Sequence, residues 1–162
     1  MGCVAIVAVT LAALAKPELR ARLGLAPARP ASYSVGDRID VPDRLFAASP
    51  LTLLVFVRSN CGACQSAKPA FARITSQLGA TSTRTVIVTA GARSAEELGY
   101  ATDVGLDRTH LETMDFSNLK LQVVPTLVLV DQRGKVLYAV EGVPSDAQQQ
   151  DVLRATTIQP SR

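Results

Sequence analysis

Cys61 and Cys64, separated only by Gly62 and Ala63, are the side chains of this sequence whose type and spacing can do chemistry. Two thiols so close in the chain read as redox-active or metal-binding sooner than as a staple of the fold. They fall between an apolar run, Leu51–Val57, and a segment of helical periodicity, so the pair sits where a strand ends and a helix begins. Free backbone N–H groups and the macrodipole at a helix N-terminus favour negative charge. Because thiolate rather than thiol attacks a disulfide, Cys61 is the candidate nucleophile. Cys64, one helical turn further in and more buried, is the candidate resolving thiol, which attacks a mixed disulfide at Cys61 and releases the partner. Gly62 and Ala63 keep the turn small and leave Cys61 open. Arg58, three residues earlier, supports a thiolate further if it points to the same rim.

Metals compete for the same thiols. Structural zinc needs four ligands, and the remaining candidates are Cys3, in an apolar leader, and His110, the sole histidine. Soft thiolates also select Cu(I), so a metallochaperone built on Cys61, Cys64 and His110 is a second reading. The redox reading needs no metal, nucleotide or other cofactor.

The elements that position the pair follow from pattern. Leu51–Val57 has the length and branched residues of a central strand buried on both faces. Cys64, Ala67, Phe71, Ile74 and Leu78 recur at helical steps. Pro69 predicts a kink in that helix, and Gly79 closes it in a C′ position. Thr85–Ala90 reads as a second buried strand, which completes a βαβ unit. Ser94 and Glu97 form a capping box for a second helix. Thr126–Val130 and Val136–Val140 are two more strands, joined by the turn Asp131–Gly134 and expected to pair antiparallel. Ser145 or Asp146 caps a last helix. The expected fold is α/β, a mixed sheet of about four core strands flanked by helices in the order β-α-β-α-β-β-α. A second signal stands at the mouth of the third strand: Val123-Val124-Pro125-Thr126 places proline at a strand's first residues, where the missing N–H is tolerated.

Together these residues resemble the thioredoxin superfamily, and within it the extracytoplasmic TlpA-like and MauD-like thiol–disulfide oxidoreductases with a redoxin domain. The resemblance covers roughly Tyr33 to Thr157 and rests on the element order, Cys61 and Cys64, the Pro125 motif and the lead-in Val35-Gly36-Asp37. It implies a cis Pro125 facing the cysteines, with Val124, Pro125 and Thr126 as the substrate-contacting segment and Val124 lending its backbone to a substrate strand. It also implies a protein thiol or disulfide substrate and a redox partner protein. Two departures are visible. Asn60 stands where thioredoxins carry a tryptophan, and Val55 stands six residues before the first cysteine, where they bury an acid, so Cys64 lacks an obvious base. A peroxiredoxin-like peroxidase, a third reading, wants Thr or Ser where this chain has Arg58.

The rest of the chain sets the context. Its 162 residues make about one domain. Hydrophobic residues at 48 % and charged ones at 19 % are globular proportions. The net charge of +3 comes from mixed signs without a basic run, which argues against nucleic acid as a partner. Residues 4–15 are almost continuously apolar, too short to cross a bilayer as an ideal helix but of signal-peptide h-region length. We expect residues 1–24 to be a membrane anchor or signal with its flank, 25–42 a linker and lead-in loop, and 33–158 the thioredoxin-like domain. Membrane contact is then limited to the N-terminal segment, and the location is extracytoplasmic, on the periplasmic side. Lys16, Arg20 and Arg22 after the apolar run oppose export by the positive-inside rule.

Overall fold

All seven residues of Leu51–Val57 are buried, and they form β1, the central strand of the sheet. The computed structural model describes residues 32–91 and 94–157, and the apolar leader with Cys3 lies outside them, as do residues 25–31 and 158. β1 is followed by helix α1 (Gly62–Leu78), β2 (Thr83–Thr89), α2 (Ala95–Asp103), β3 (Leu111–Thr113), β4 (Thr126–Asp131), β5 (Val136–Glu141) and α3 (Asp146–Thr157). The strand order is β3-β2-β1-β4-β5, with β2 parallel to β1 and to β3, and β4 antiparallel to both β1 and β5.

The sheet therefore has five strands rather than the four expected, and the order gains a β before the β4–β5 hairpin. The extra strand, Leu-Glu-Thr, is too short to show alternation. It is defined by a partner, pairing Leu111 with Ile87 and Thr113 with Thr89 along the free edge of β2. Register also moves β2 two residues earlier than the expected Thr85 start, because Thr83 aligns with Leu51.

Alternation along β1 divides the core. Leu51, Leu53, Val55 and Val57 pack with Cys64, Phe71, Ile74, Tyr100 and Val152, so α1, α2 and α3 each contribute to one face. Leu54 and Phe56 pack on the other face with Tyr33, Ile39, Phe46 and Phe116, which come from segments without long elements. Burial of this continuous apolar surface is the main stabilising term.

Local signals act as their chemistry requires. Ser94 and Glu97 form the reciprocal capping box of α2. At α3 the Ser145 hydroxyl accepts from Gln148 N–H, and the Gln148 side chain accepts from Ser145 N–H. α1 is continuous through Pro69. Gly79 ends it, but with φ −58° in the right-handed region, so the expected C′ role with left-handed backbone is not the reason the helix stops there.

The lead-in Val35-Gly36-Asp37 is anchored to β5: Gly36 N–H donates to Val136 O and Val136 N–H to Asp37 O, both at 2.8 Å. Tyr33, Ile39 and Val41, expected in part of a linker and lead-in loop, are buried core residues.

Candidate functional site

β1 and β4 run antiparallel with Phe56 opposite Thr126. The chain leaving β1 and the chain entering β4 thus emerge at the same end of the sheet, and this register brings Cys61 to Val124 across 63 positions. Cys61 is the N-cap of α1, and its Sγ accepts from Cys64 N–H at 3.2 Å. The same sulfur donates to the Val124 carbonyl at 3.5 Å. It is therefore held between a helix N-terminal N–H and a loop carbonyl while remaining partly open, whereas Cys64 is fully buried. The Val124–Pro125 peptide bond is cis.

Both cysteines are free thiols. Burial pushes the Cys64 thiol up to about 12, and a hydrogen bond with Cys61 adds to this by holding the proton. Val55 lies in the same apolar cluster as Cys64. No carboxylate occupies that position, and a proton leaving Cys64 finds none there.

The other residues singled out from sequence are placed as follows. Gly62 and Ala63 open α1 and are exposed, and a side chain at Gly62 would meet nothing within 4 Å. The Arg58 backbone carbonyl accepts from Cys61 N–H at 3.2 Å, while its guanidinium lies over the Phe116 ring at 5.8 Å. Thr126 is buried and its hydroxyl donates to Val123 O at 2.7 Å, so it braces the loop around Pro125 from within. His110 precedes β3, where its Nδ1 meets Asp107 at 3.1 Å. No group of three His, Cys, Asp or Glu side chains among the described residues is arranged to hold a metal ion, so His110 does not join Cys61 and Cys64.

Sequence reasoning missed Tyr100. This residue, 1 % exposed, donates its hydroxyl to the Cys64 carbonyl at 2.8 Å. Burial, then the negative charges of Cys64 and Cys61 in their ionised forms, raise its phenol above the usual range. The Lys68 ammonium lies 5.0 Å over the Tyr100 ring and 2.6 Å from Asp103. The available signal was the buried stripe Glu97, Tyr100, Ala101 on α2, at helical spacing.

A family model described as a thioredoxin-like domain matches residues 47–157. Comparison with curated proteins gives no match. Solved structures match over most of the chain. A thiol:disulfide interchange protein of the thioredoxin family from Chlorobium tepidum superimposes with TM-score 0.54 at 15 % identity, covering 81 % of this chain and 99 % of that one. The thioredoxin domain of a thiol-disulfide oxidoreductase from Bacteroides vulgatus gives TM-score 0.56 at 12 % identity, covering 77 % and 99 %. A secreted Mycobacterium tuberculosis disulfide oxidoreductase homologous to E. coli DsbE gives 0.52 at 12 %, covering 72 % and 85 %. At these identities the likeness is one of fold.

Proposed function

The chain belongs to the thioredoxin-like domain family, and on that premise we propose that it is a thiol–disulfide oxidoreductase acting on protein partners through Cys61 and Cys64. The observation that carries this reading is the Cys61 sulfur, partly open at the N-terminus of α1, with buried Cys64 one turn behind it and the Val124 carbonyl in front.

In the reducing direction, the Cys61 thiolate attacks one sulfur of a partner disulfide. A Cys61–partner S–S bond forms, the partner S–S bond breaks, and the second partner sulfur leaves as a thiolate that takes up a proton. Cys64 then attacks the Cys61 sulfur, forming the Cys61–Cys64 disulfide. Its proton passes to the partner sulfur now leaving; burial keeps the Cys64 thiol protonated until that step, and no carboxylate stands at Val55 to take the proton instead. Two electrons have moved from the dithiol to the partner disulfide. The same steps reversed oxidise a partner dithiol, and the reduction potential against the partner sets the direction.

Of the segment Val124, Pro125 and Thr126, the half-buried Val124 is the substrate contact in this reading, while Pro125 and Thr126 are buried behind it. When Cys61 enters a mixed disulfide it has no proton to donate, so the Val124 carbonyl becomes a free acceptor for a backbone N–H of the substrate strand. Thr126 keeps that loop in shape through its bond to Val123. The redox domain then spans residues 33–158, behind the apolar leader 1–24, on the extracytoplasmic side. The apolar run at 4–15 and the likeness to a secreted oxidoreductase support that location.

The test is disulfide exchange with insulin by the full chain. Cys61→Ser is expected to abolish it, and Cys64→Ser to accumulate a mixed disulfide at Cys61. Full activity in the Cys61 variant would falsify the mechanism.

A further inference from the structure

The chains leaving β1, β2 and β3 and the chain entering β4 all emerge at one end of the sheet, since Val57 aligns with Thr89, Thr89 with Thr113 and Phe56 with Thr126. Between them lies a groove of about 550 Å³ whose lining includes Arg58, Asp115, Phe116, Gln122, Val123 and Val124. Val124 belongs both to this groove and to the Cys61 site, because its carbonyl accepts from the Cys61 sulfur. A chain tethered at Cys61 therefore has the groove as its neighbour.

The chemistry of the groove is lopsided. Phe116, packed edge-on against Phe56 with centroids 5.7 Å apart, gives an apolar floor, and Val123 stands 42 % exposed at its side. Asp115 has both oxygens engaged, by the Ser117 N–H at 2.9 Å and the Ser117 hydroxyl at 2.6 Å. The exposed Arg58 guanidinium has five N–H donors. Held over Phe116, it has neither an ion-pair partner nor a hydrogen-bond acceptor among the described residues. The free capacity of this surface is thus mostly donor, and the complement of a bare guanidinium is a carboxylate, bound by two parallel N–H···O bonds.

We propose that this groove holds the segment of the partner protein that flanks its reacting cysteine, and that Arg58 selects segments bearing a carboxylate side chain there. The proposal rests on Cys61 being the nucleophile. An apolar portion of the segment covers Phe116 and Val123, and one acidic residue pairs with Arg58. Asp115 opposes a second.

The experiment uses the full-length protein and disulfide-linked peptides identical except for Glu, Gln or Lys beside the cysteine. The kcat/KM values are expected to fall in the order Glu, Gln, Lys, with Glu over Lys by about 1.4-fold to fivefold, the range of one exposed ion pair. High salt should shrink that ratio. Arg58→Gln should bring it to about one or below, since the Asp115 carboxylate remains in the groove, and Arg58→Glu should invert it. Equal rates for the three peptides in the unmodified protein, or a ratio unmoved by both substitutions, would overturn the proposal. So would reduction of glutathione disulfide as fast as the Glu peptide with the same dependence on Arg58, which would assign the groove to small carboxylate thiols. Failure to exchange with any peptide or with insulin would instead take down the redox reading, and this proposal with it.

Discussion

The hydroxyl of Tyr100, in α2, donates to the backbone carbonyl of Cys64, one turn into α1, at 2.8 Å. The bond joins two helices that pack on the same face of the sheet and fixes the turn carrying the buried thiol. Lys68, four residues after Cys64, closes over the outer side of the Tyr100 ring and is itself held by Asp103.

Tyr100→Phe keeps the ring and removes only the hydroxyl. The expected loss is about 1 kcal/mol in urea unfolding, the usual net worth of a buried neutral hydrogen bond. An unchanged midpoint would mean that this bond adds nothing to the fold.

Cys64 should behave as a protected thiol. In Cys61→Ser, where burial remains the leading cause of its raised pKa, iodoacetamide is expected to label Cys64 slowly in the native state at about pH 8 and rapidly after unfolding. The pH dependence of stability has a defined sign. The folded-state value of about 12 lies above the ordinary 9.0, so this contribution is complete below pH 9.0 and is lost as pH rises through about 12. Urea midpoints of the reduced protein should therefore fall across that alkaline window. The oxidised protein, whose Cys61–Cys64 pair carries no titratable thiol, should not show this component.

Val55→Asp restores an acid behind the pair but places it in an apolar cluster where Val55 is 1 % exposed. Burial of an unpaired carboxyl should cost about 3 kcal/mol. Desolvation raises such a group, so the deficit should be smallest at acid pH and grow as pH rises through the folded-state value. Chemical unfolding at several pH values reads this, and a deficit that shrinks toward neutral pH would contradict it.

Gly134 has φ +74° in the β4–β5 turn, where its N–H donates to Asp131 O at 2.9 Å. A Cβ there would lie 2.7 Å from Cζ of the buried Phe46 ring. Gly134→Ala combines a left-handed backbone cost of about 1–2 kcal/mol with that clash. It should lower stability by about 2–4 kcal/mol, visible as a lower Tm.

What the chain determined locally was legible. Leu51–Val57 reads as a doubly buried strand because seven apolar residues in a row have no polar face to present, and they are β1 without change of boundary. The cysteine pair at a helix start, the capping box at Ser94 and Glu97 and the proline before β4 are likewise signals among near neighbours in sequence.

Only the tertiary structure decided what depends on distant partners. β3 exists because an edge of β2 was free to pair. Arg58 lies over Phe116, 58 positions from it in the chain, although its number alone places it beside Cys61. The Thr126 hydroxyl turns inward to Val123, and Tyr100 reaches Cys64 from a helix that sequence pattern could orient only toward a core. Periodicity states which side of an element avoids water. Which atoms then meet across that face is fixed by strand register and helix packing, and these are set by the whole chain at once.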